Sequence, residues 1–201
     1  MTMSKGSLIV LSGPSGSGKG TILAQLLAER EDTVPSVSVT TRKPRPFEVD
    51  GVHYFFRTKE EFEKMIEENE LLEYAEYNGN YYGTPADHVR KQLDAGKNVV
   101  LEIEVQGAEK VMDYRSDVIS IFITTPSMEE LERRLRGRGT ESEEVIQNRL
   151  KTARWELSRA FRYQYVVLND EIPDAVRRIH TILDAESLRY HRMEQYILEE
   201  S

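Results

Sequence analysis

The chain has 201 residues, enough for a single domain with a sizeable core and short insertions. Lys and Arg number 27 against 35 Asp and Glu, and the net charge of −8 excludes a general nucleic-acid or anionic-membrane coat, so any polyanion must be met locally. The absence of cysteine removes disulfides, thiolate catalysis and thiolate zinc sites and points to a reducing cytoplasm, while no run approaches the roughly 20 apolar residues of a membrane span.

Taken in chain order, the first element is Leu8–Leu11, too short for a signal-peptide core and read as a buried strand. A glycine-rich segment, Gly13–Thr21, follows, and then a helix with Ile22/Leu26 and Leu23/Leu27 at i, i+4. From Ser36 to Tyr82 the pattern changes to short Val/Tyr/Phe-rich pieces, at Val37–Thr41, Val52–Phe56 and Tyr81–Tyr82. They surround an acidic helix, Lys59–Asn69, that turns Phe62, Met65 and Ile66 inward and carries Thr58 and Glu61 as its capping pair. Thr84-Pro85 with Asp87 opens a helix that ends near Ala95, with Gly96 at its left-handed cap. Val99–Val105 and Val118–Ile123 are further buried strands; Ser127/Glu130 and Thr140/Glu143 read as capping boxes of two more helices, and Trp155 as helix packing. Tyr165–Leu168 is the last buried strand, and Tyr190–Ser201 a polar helical tail. Strands alternating with helices predict a doubly wound α/β fold, with one inserted mixed-strand lobe.

The glycine-rich segment reads Gly13-Pro14-Ser15-Gly16-Ser17-Gly18-Lys19-Gly20-Thr21, a GxxxxGK pattern between a strand and a helix. Glycines let the backbone N–H groups fold around a phosphate, the helix N-terminus adds its dipole, and Lys19 brings a full charge to β/γ-phosphates. A Gly-rich turn that binds nothing would need neither the lysine nor both flanks. Gly20 stands where the pattern usually carries a Ser or Thr ligand to magnesium, and the hydroxyl comes one residue later, at Thr21.

Cations are segregated elsewhere too: Arg42, Lys43 and Arg45, and then Arg133, Arg134, Arg136 and Arg138. Singly, each could be a solvated surface charge. Clustered beside Gly and Pro turns they suggest anion sites, and the neighbouring acids Glu48, Asp50, Glu141, Glu143 and Glu144 would repel a long phosphate backbone, which favours a small nucleotide. Phosphoryl transfer needs two aligned substrates, neutralised charge and excluded water. The first cluster fits an acceptor phosphate, and Arg133–Gly139 a closing lid with arginines for the transition state.

Five segments together resemble the guanylate kinase family, over about residues 7–182: Gly13–Thr21, Ser38-Val39-Thr40-Thr41-Arg42-Lys43-Pro44-Arg45, Glu48–Tyr54, Gly79–Thr84, and Gly137-Arg138-Gly139-Thr140-Glu141. The resemblance implies a P-loop NTPase-like parallel sheet core flanked by helices, with an inserted mixed-strand GMP-binding lobe and a short helical lid. The single domain would divide into a core at about 5–35, 85–125 and 160–201, a lobe at about 36–84 and a lid at about 126–159. ATP would lie on residues 13–21 and beside Asn169. Arg42, Arg45, Tyr54 and Tyr82 would hold the GMP phosphate, and Ser38, Glu73, Thr84 and Glu104 would read guanine; Glu104 stands where the family commonly has Asp. Without the resemblance, Glu73 reads as a solvent-facing helix acid in the run Glu67, Glu68, Glu70, Glu73. Lys19, Arg42, Arg134, Arg138 and Arg149 would serve catalysis. Mg²⁺ would enter through ATP phosphates and water, with Thr21 and Glu102 as candidate contacts, Glu102 on the strand face it shares with Glu104. The partners implied are ATP and GMP, with no nucleic-acid polymer and no membrane, homo-oligomerisation being left open. Two rivals are a related small-molecule kinase and a non-catalytic phosphopeptide-binding module of the same fold.

Overall fold

A computed structural model describes residues 5–77, 79–137, 139 and 142–198. Its first strand, β1 (Leu8–Ser12), is buried at every position, as is Val118–Thr124, called β8 below. Near-continuous apolar runs of this kind belong to strands covered on both faces. β1 is the middle strand of a five-stranded sheet of order β2-β7-β1-β8-β9, in which β2 (Thr33–Pro35) pairs in parallel with β7 (Asn98–Glu102), and β8 with β9 (Tyr165–Leu168). The fold is α/β, a parallel sheet core flanked by helices. Among the described residues no helix is long and apolar enough to cross a membrane.

The chain divides into two compact units. The loop unit comprises Leu11–Glu31 and the chain from Ile119 on. Here α1 (Lys19–Glu29) packs against α7 (Ile172–Ser187). α5 (Met128–Arg136) and α6 (Glu143–Leu157) share a small core of Leu131, Leu135, Ile146, Leu150 and Ala153, with Met128 against it. Each such buried aliphatic contributes about 1.5–3 kcal/mol, so the two helices hold together as a hairpin. α8 (Tyr190–Leu198) forms the tail.

The lobe unit comprises Lys5–Val10 and Asp32–Val118. It carries a second sheet of order β4-β3-β6-β5, from β3 (Val39–Thr40), β4 (Phe55–Phe56), β5 (Leu71–Tyr77) and β6 (Asn80–Pro85). The β3–β4 pair is parallel and the other two pairs are antiparallel. α2 (Lys59–Glu67) begins at the expected capping box: Thr58 accepts from the Glu61 N–H at 3.1 Å while Glu61 accepts from the Thr58 N–H at 2.7 Å. Phe62 is fully buried and stacks on Tyr81, whereas Met65 and Ile66 are half-buried. α3 (Ala86–Asp94) ends before Gly96, whose φ of +77° is the left-handed cap the sequence suggests.

Several elements differ from the sequence expectations. The strand expected over Val99–Val105 stops at Glu102, because Glu104 caps α4 (Val105–Tyr114) by accepting the N–H groups of Gln106 and Gly107 at 3.1 and 2.9 Å. Those are two of the donors a helix start leaves unpaired. Glu102 and Glu104 therefore do not share a strand face. Glu73 lies on strand β5, not on a helix. Thr84 belongs to β6, and α3 starts without a side-chain cap. α6 is capped by Ser142, whose hydroxyl accepts from the Val145 N–H, and Glu143 instead accepts from Arg136; Thr140 lies outside the described residues. Ser127 does cap α5, but Glu130 turns to Arg133 and Arg134 in place of closing the box. Trp155 is 42% exposed on α6 instead of packed, and β9, at the edge of the sheet, leaves Val166 and Leu168 exposed instead of being buried on both faces.

Candidate active site

In the loop unit β1 ends at Ser12 and α1 starts at Lys19, so residues 13–18 must reverse the chain over a short span. Gly13 has φ +139°, and a Cβ there would stand 2.0 Å from the Ile123 carbonyl oxygen; Gly18 has φ +88°, and a Cβ there would stand 2.3 Å from Asn169 Nδ2. Neither position admits a side chain. Gly18 is also the N-cap residue of α1 and gives it no side-chain cap, so the first N–H groups of the helix keep their capacity to donate to an anion. The Lys19 ammonium donates to the Gly13 and Pro14 carbonyls at 2.5 and 3.0 Å, which folds it back over the loop. Ser15 is exposed and its Oγ accepts from Arg149 of α6 at 3.2 Å. Gly16 lies against Leu131 and Leu135, so α5 packs directly on the loop. Gly20 and Thr21 are exposed on the first turn of α1.

Asn169 is fully buried. Its Nδ2 donates to the Ser17 carbonyl at 2.7 Å, and its N–H donates to the Thr124 carbonyl. Its own carbonyl accepts from Arg134 Nη2 at 2.9 Å. The side chain therefore braces the loop from below. Arg134 also donates to Glu130 at 2.6 Å; that carboxyl is held down at about 2 by the hydrogen bonds of Arg133 and Arg134. Arg138 lies outside the described residues.

In the lobe unit the segment after β3 turns sharply. Arg42 donates from both terminal nitrogens to Glu48, at 2.8 and 3.0 Å, and Glu48 also accepts the Arg45 N–H at 2.7 Å. These bonds, Arg42 first, hold the Glu48 carboxyl at about 2. The guanidinium lies 5.4 Å from the centroid of Tyr54, which meets Tyr82 edge to face at 6.2 Å. Arg42, Tyr54 and Tyr82 are thus brought together, with Arg45 exposed on the same turn.

Deeper in the lobe Glu73 is only 8% exposed, and its Oε1 accepts from the buried Thr84 hydroxyl at 2.7 Å. Burial pushes this carboxyl above the usual carboxylate range; the Glu104 charge adds to the shift, and the Thr84 hydroxyl and Lys110 oppose it. A Cβ placed on Gly107 would stand 2.9 Å from Glu73 Oε2 and 3.6 Å from Glu104 Oε1, so both acids border one glycine at the start of α4. Ser38 is half-buried just before β3, its carbonyl accepting the Phe55 N–H. Glu102 is exposed at the end of β7. Among the described residues no three His, Cys, Asp or Glu side chains gather as a metal site.

Sequence reasoning missed two contributors. Glu48 stood as one of the acids around a basic cluster and as the first residue of the Glu48–Tyr54 segment, with no role assigned; its spacing from Arg42 across a Pro-containing turn was the available signal. Gly107 had none, since its neighbour Glu73 is 34 positions away.

The arrangement offers a lysine-bearing phosphate loop in one unit and, in the other, an arginine-tyrosine cluster together with a buried acid. The guanylate kinase family model matches residues 5–186. A guanylate kinase of Desulfitobacterium hafniense is 54% identical over 192 residues, covering 96% of both chains. One of Clostridium perfringens is 52% identical, covering 97% of this chain and 90% of its own. The crystal structure of guanylate kinase from Anaplasma phagocytophilum superposes with a TM-score of 0.73 at 39% identity, over 94% of this chain and 90% of that one. With that match running from Lys5 through the loop, both acids and Arg149, the chain belongs to the guanylate kinase family.

Proposed function

We propose that this guanylate kinase holds ATP on Gly13–Thr21 and GMP on the residues gathered around Arg42 and Glu73, each within its own unit. The chemistry is the attack of a GMP phosphate oxygen on the γ-phosphorus of ATP, breaking the bond to the β-phosphate oxygen and releasing ADP and GDP. No covalent enzyme intermediate is needed for such a transfer, because positioning and charge neutralisation do the catalysis. Lys19 and the N–H groups at the start of α1 neutralise the donor phosphates. Arg134, Arg138 and Arg149 form the lid's contribution to the same charge. Arg42, Arg45, Tyr54 and Tyr82 supply guanidinium and phenol donors suited to the acceptor's phosphate dianion.

The observation that carries the choice of GMP is the buried Glu73 carboxyl, fixed by Thr84. A carboxylate accepts guanine N1–H and the exocyclic amine together, whereas adenine would leave it unpaired in a dry site, which is expensive. Ser38 is the further base contact, and Glu104, which spends its carboxylate on the α4 N–H groups, acts on the base site indirectly. Asn169 contributes to the ATP side through the loop it braces. Mg²⁺ takes hard oxygen donors, which the ATP phosphates and water provide, and the exposed Thr21 hydroxyl suits its shell. When bound it neutralises phosphate charge. Glu102 remains the candidate for organising its water.

In this reading the chain is one catalytic module with a core, a lobe and a lid, working in cytoplasmic purine nucleotide metabolism on free nucleotides, with neither membrane nor nucleic-acid polymer as partner. A phosphopeptide-binding module would have no use for a lysine-bearing phosphate loop. An acceptor panel tests the reading: with ATP and magnesium, ADP formation should be strong with GMP, weaker with dGMP and near background with AMP, CMP or UMP. Equal turnover of AMP would overturn the guanine assignment.

A further inference from the structure

Gly107 is the third residue of α4, and its φ lies outside the left-handed region, so nothing in the backbone calls for glycine there. Alanine would be the better helix former. The surroundings give the reason instead. A Cβ at this position would stand 2.9 Å from Glu73 Oε2, closer than side chains approach one another, with Glu73 Cδ in ordinary contact at 3.6 Å. The Glu73 carboxylate cannot swing aside cheaply, because its other oxygen takes the Thr84 hydroxyl at 2.7 Å and Thr84 is fully buried. On the far side the Gly107 N–H is held by Glu104 at 2.9 Å, which fixes the start of the helix against the pair.

We infer that Gly107 is a specificity-determining position: the bare backbone there leaves Glu73 Oε2 in the plane and the space that a guanine edge requires. The inference rests on the reading of Glu73 as the guanine acceptor. A methyl group at 107 displaces that oxygen or occupies its approach, and the enzyme loses the second of the two hydrogen bonds by which it tells guanine from adenine. Gly107 touches no reacting atom and acts through Glu73, so its effect falls on acceptor binding and base choice.

The test is Gly107→Ala beside Glu73→Gln, with steady-state kinetics on GMP and AMP and a thermal melt. Gly107→Ala should remain folded, its gain in helix propensity offsetting part of the clash with Glu73. It should raise KM for GMP about 10- to 100-fold, the loss expected for one hydrogen bond to a charged acceptor, and lower the GMP-over-AMP ratio of kcat/KM by a like factor. KM for ATP and kcat at saturating GMP should stay within about threefold, which a general disturbance of the fold would not allow. A folded Gly107→Ala enzyme with parental GMP KM and selectivity overturns the inference; if Glu73→Gln then damages both, the reading of Glu73 stands alone, and if Glu73→Gln is also silent, both fall. Glu73→Asp combined with Gly107→Ala supplies the second arm, since the shorter acid withdraws from the new methyl. The penalty of Gly107→Ala should shrink in the Glu73→Asp background. Should Gly107→Ala alone fail to fold, the double variant should fold; an unfolded double variant would place the clash elsewhere and overturn the inference.

Discussion

Replacing Asn169 with alanine should loosen the phosphate loop without changing the choice of donor base. The side chain is fully buried, its Nδ2 donates to the Ser17 carbonyl at 2.7 Å, and its Oδ1 is buried without a partner among the described residues. Truncation strands the Ser17 carbonyl, which costs about 1–3 kcal/mol, and leaves a small void; removal of the unpaired Oδ1 offsets part of this, for a net of about 2 kcal/mol. At about 2–4 °C per kcal/mol for a domain of this size, the melting midpoint should fall by about 4–8 °C. Gly18, whose missing Cβ lies 2.3 Å from that same Nδ2, loses the neighbour that holds the loop in shape, so KM for ATP should rise by about tenfold, comparable to one well-placed hydrogen bond. The anchor of Arg134 should survive, because it uses the backbone carbonyls of residues 169 and 170. The assay is a thermal melt with ATP and GTP compared as donors. An unchanged midpoint together with a collapsed preference for ATP would refute the brace and return the side chain to the adenine.

Two further predictions concern protons. The Glu48 carboxyl is held at about 2 by Arg42 and the Arg45 N–H, so its contribution to stability is complete above its ordinary value near 4.5 and is lost as the pH falls through about 2. Urea midpoints followed from pH 5 to pH 2 should therefore decline less steeply in Glu48→Gln than in the parent, the remaining slope coming from Glu130 and Glu143, which are held at about 2 as well; identical slopes would show that the Arg42 pairing does not persist in solution. Glu73 behaves oppositely: burial raises its pKa, so the folded protein favours its protonated form, and the stability this contributes is present at low pH and lost as the pH rises through the raised value. On the proposed reading GMP is held by the carboxylate, so kcat/KM for GMP should climb across that same range. The limb should flatten in Glu73→Gln, while the titration of the GMP phosphate itself persists in both; indistinguishable profiles would remove Glu73 from base recognition.

How much of the fold was legible in the sequence depended on where polar residues point. β1, β8 and β9 could be read directly, since runs such as Val118–Thr124 are nearly all apolar, with Ser120 and Thr124 their only polar positions. α2 could be read because its capping box is local. β2 could not, being three residues long and ending in Pro35. β5 was hidden for a different reason: its register shifts between Leu71 and Tyr74 and its buried position is Glu73, whereas alternation rules assign a glutamate to the outward face. α4 was hidden likewise, because Glu is not among the favoured N-cap residues and Val105 extends the apolar run of the preceding strand. Asn169 was placed beside ATP by the resemblance alone, and only the packing of the loop above it reveals that it is buried. In the lobe unit the two misplaced elements each owe their disguise to an acid, and those acids, Glu73 and Glu104, meet at Gly107. A fold tolerates a buried carboxylate against its own hydrophobic pattern only where another demand outweighs the desolvation, and base recognition is such a demand. On the proposed reading, the breaks in the pattern and the candidate acceptor site therefore coincide for a physical reason: the demand of base recognition outweighs the cost of burying Glu73.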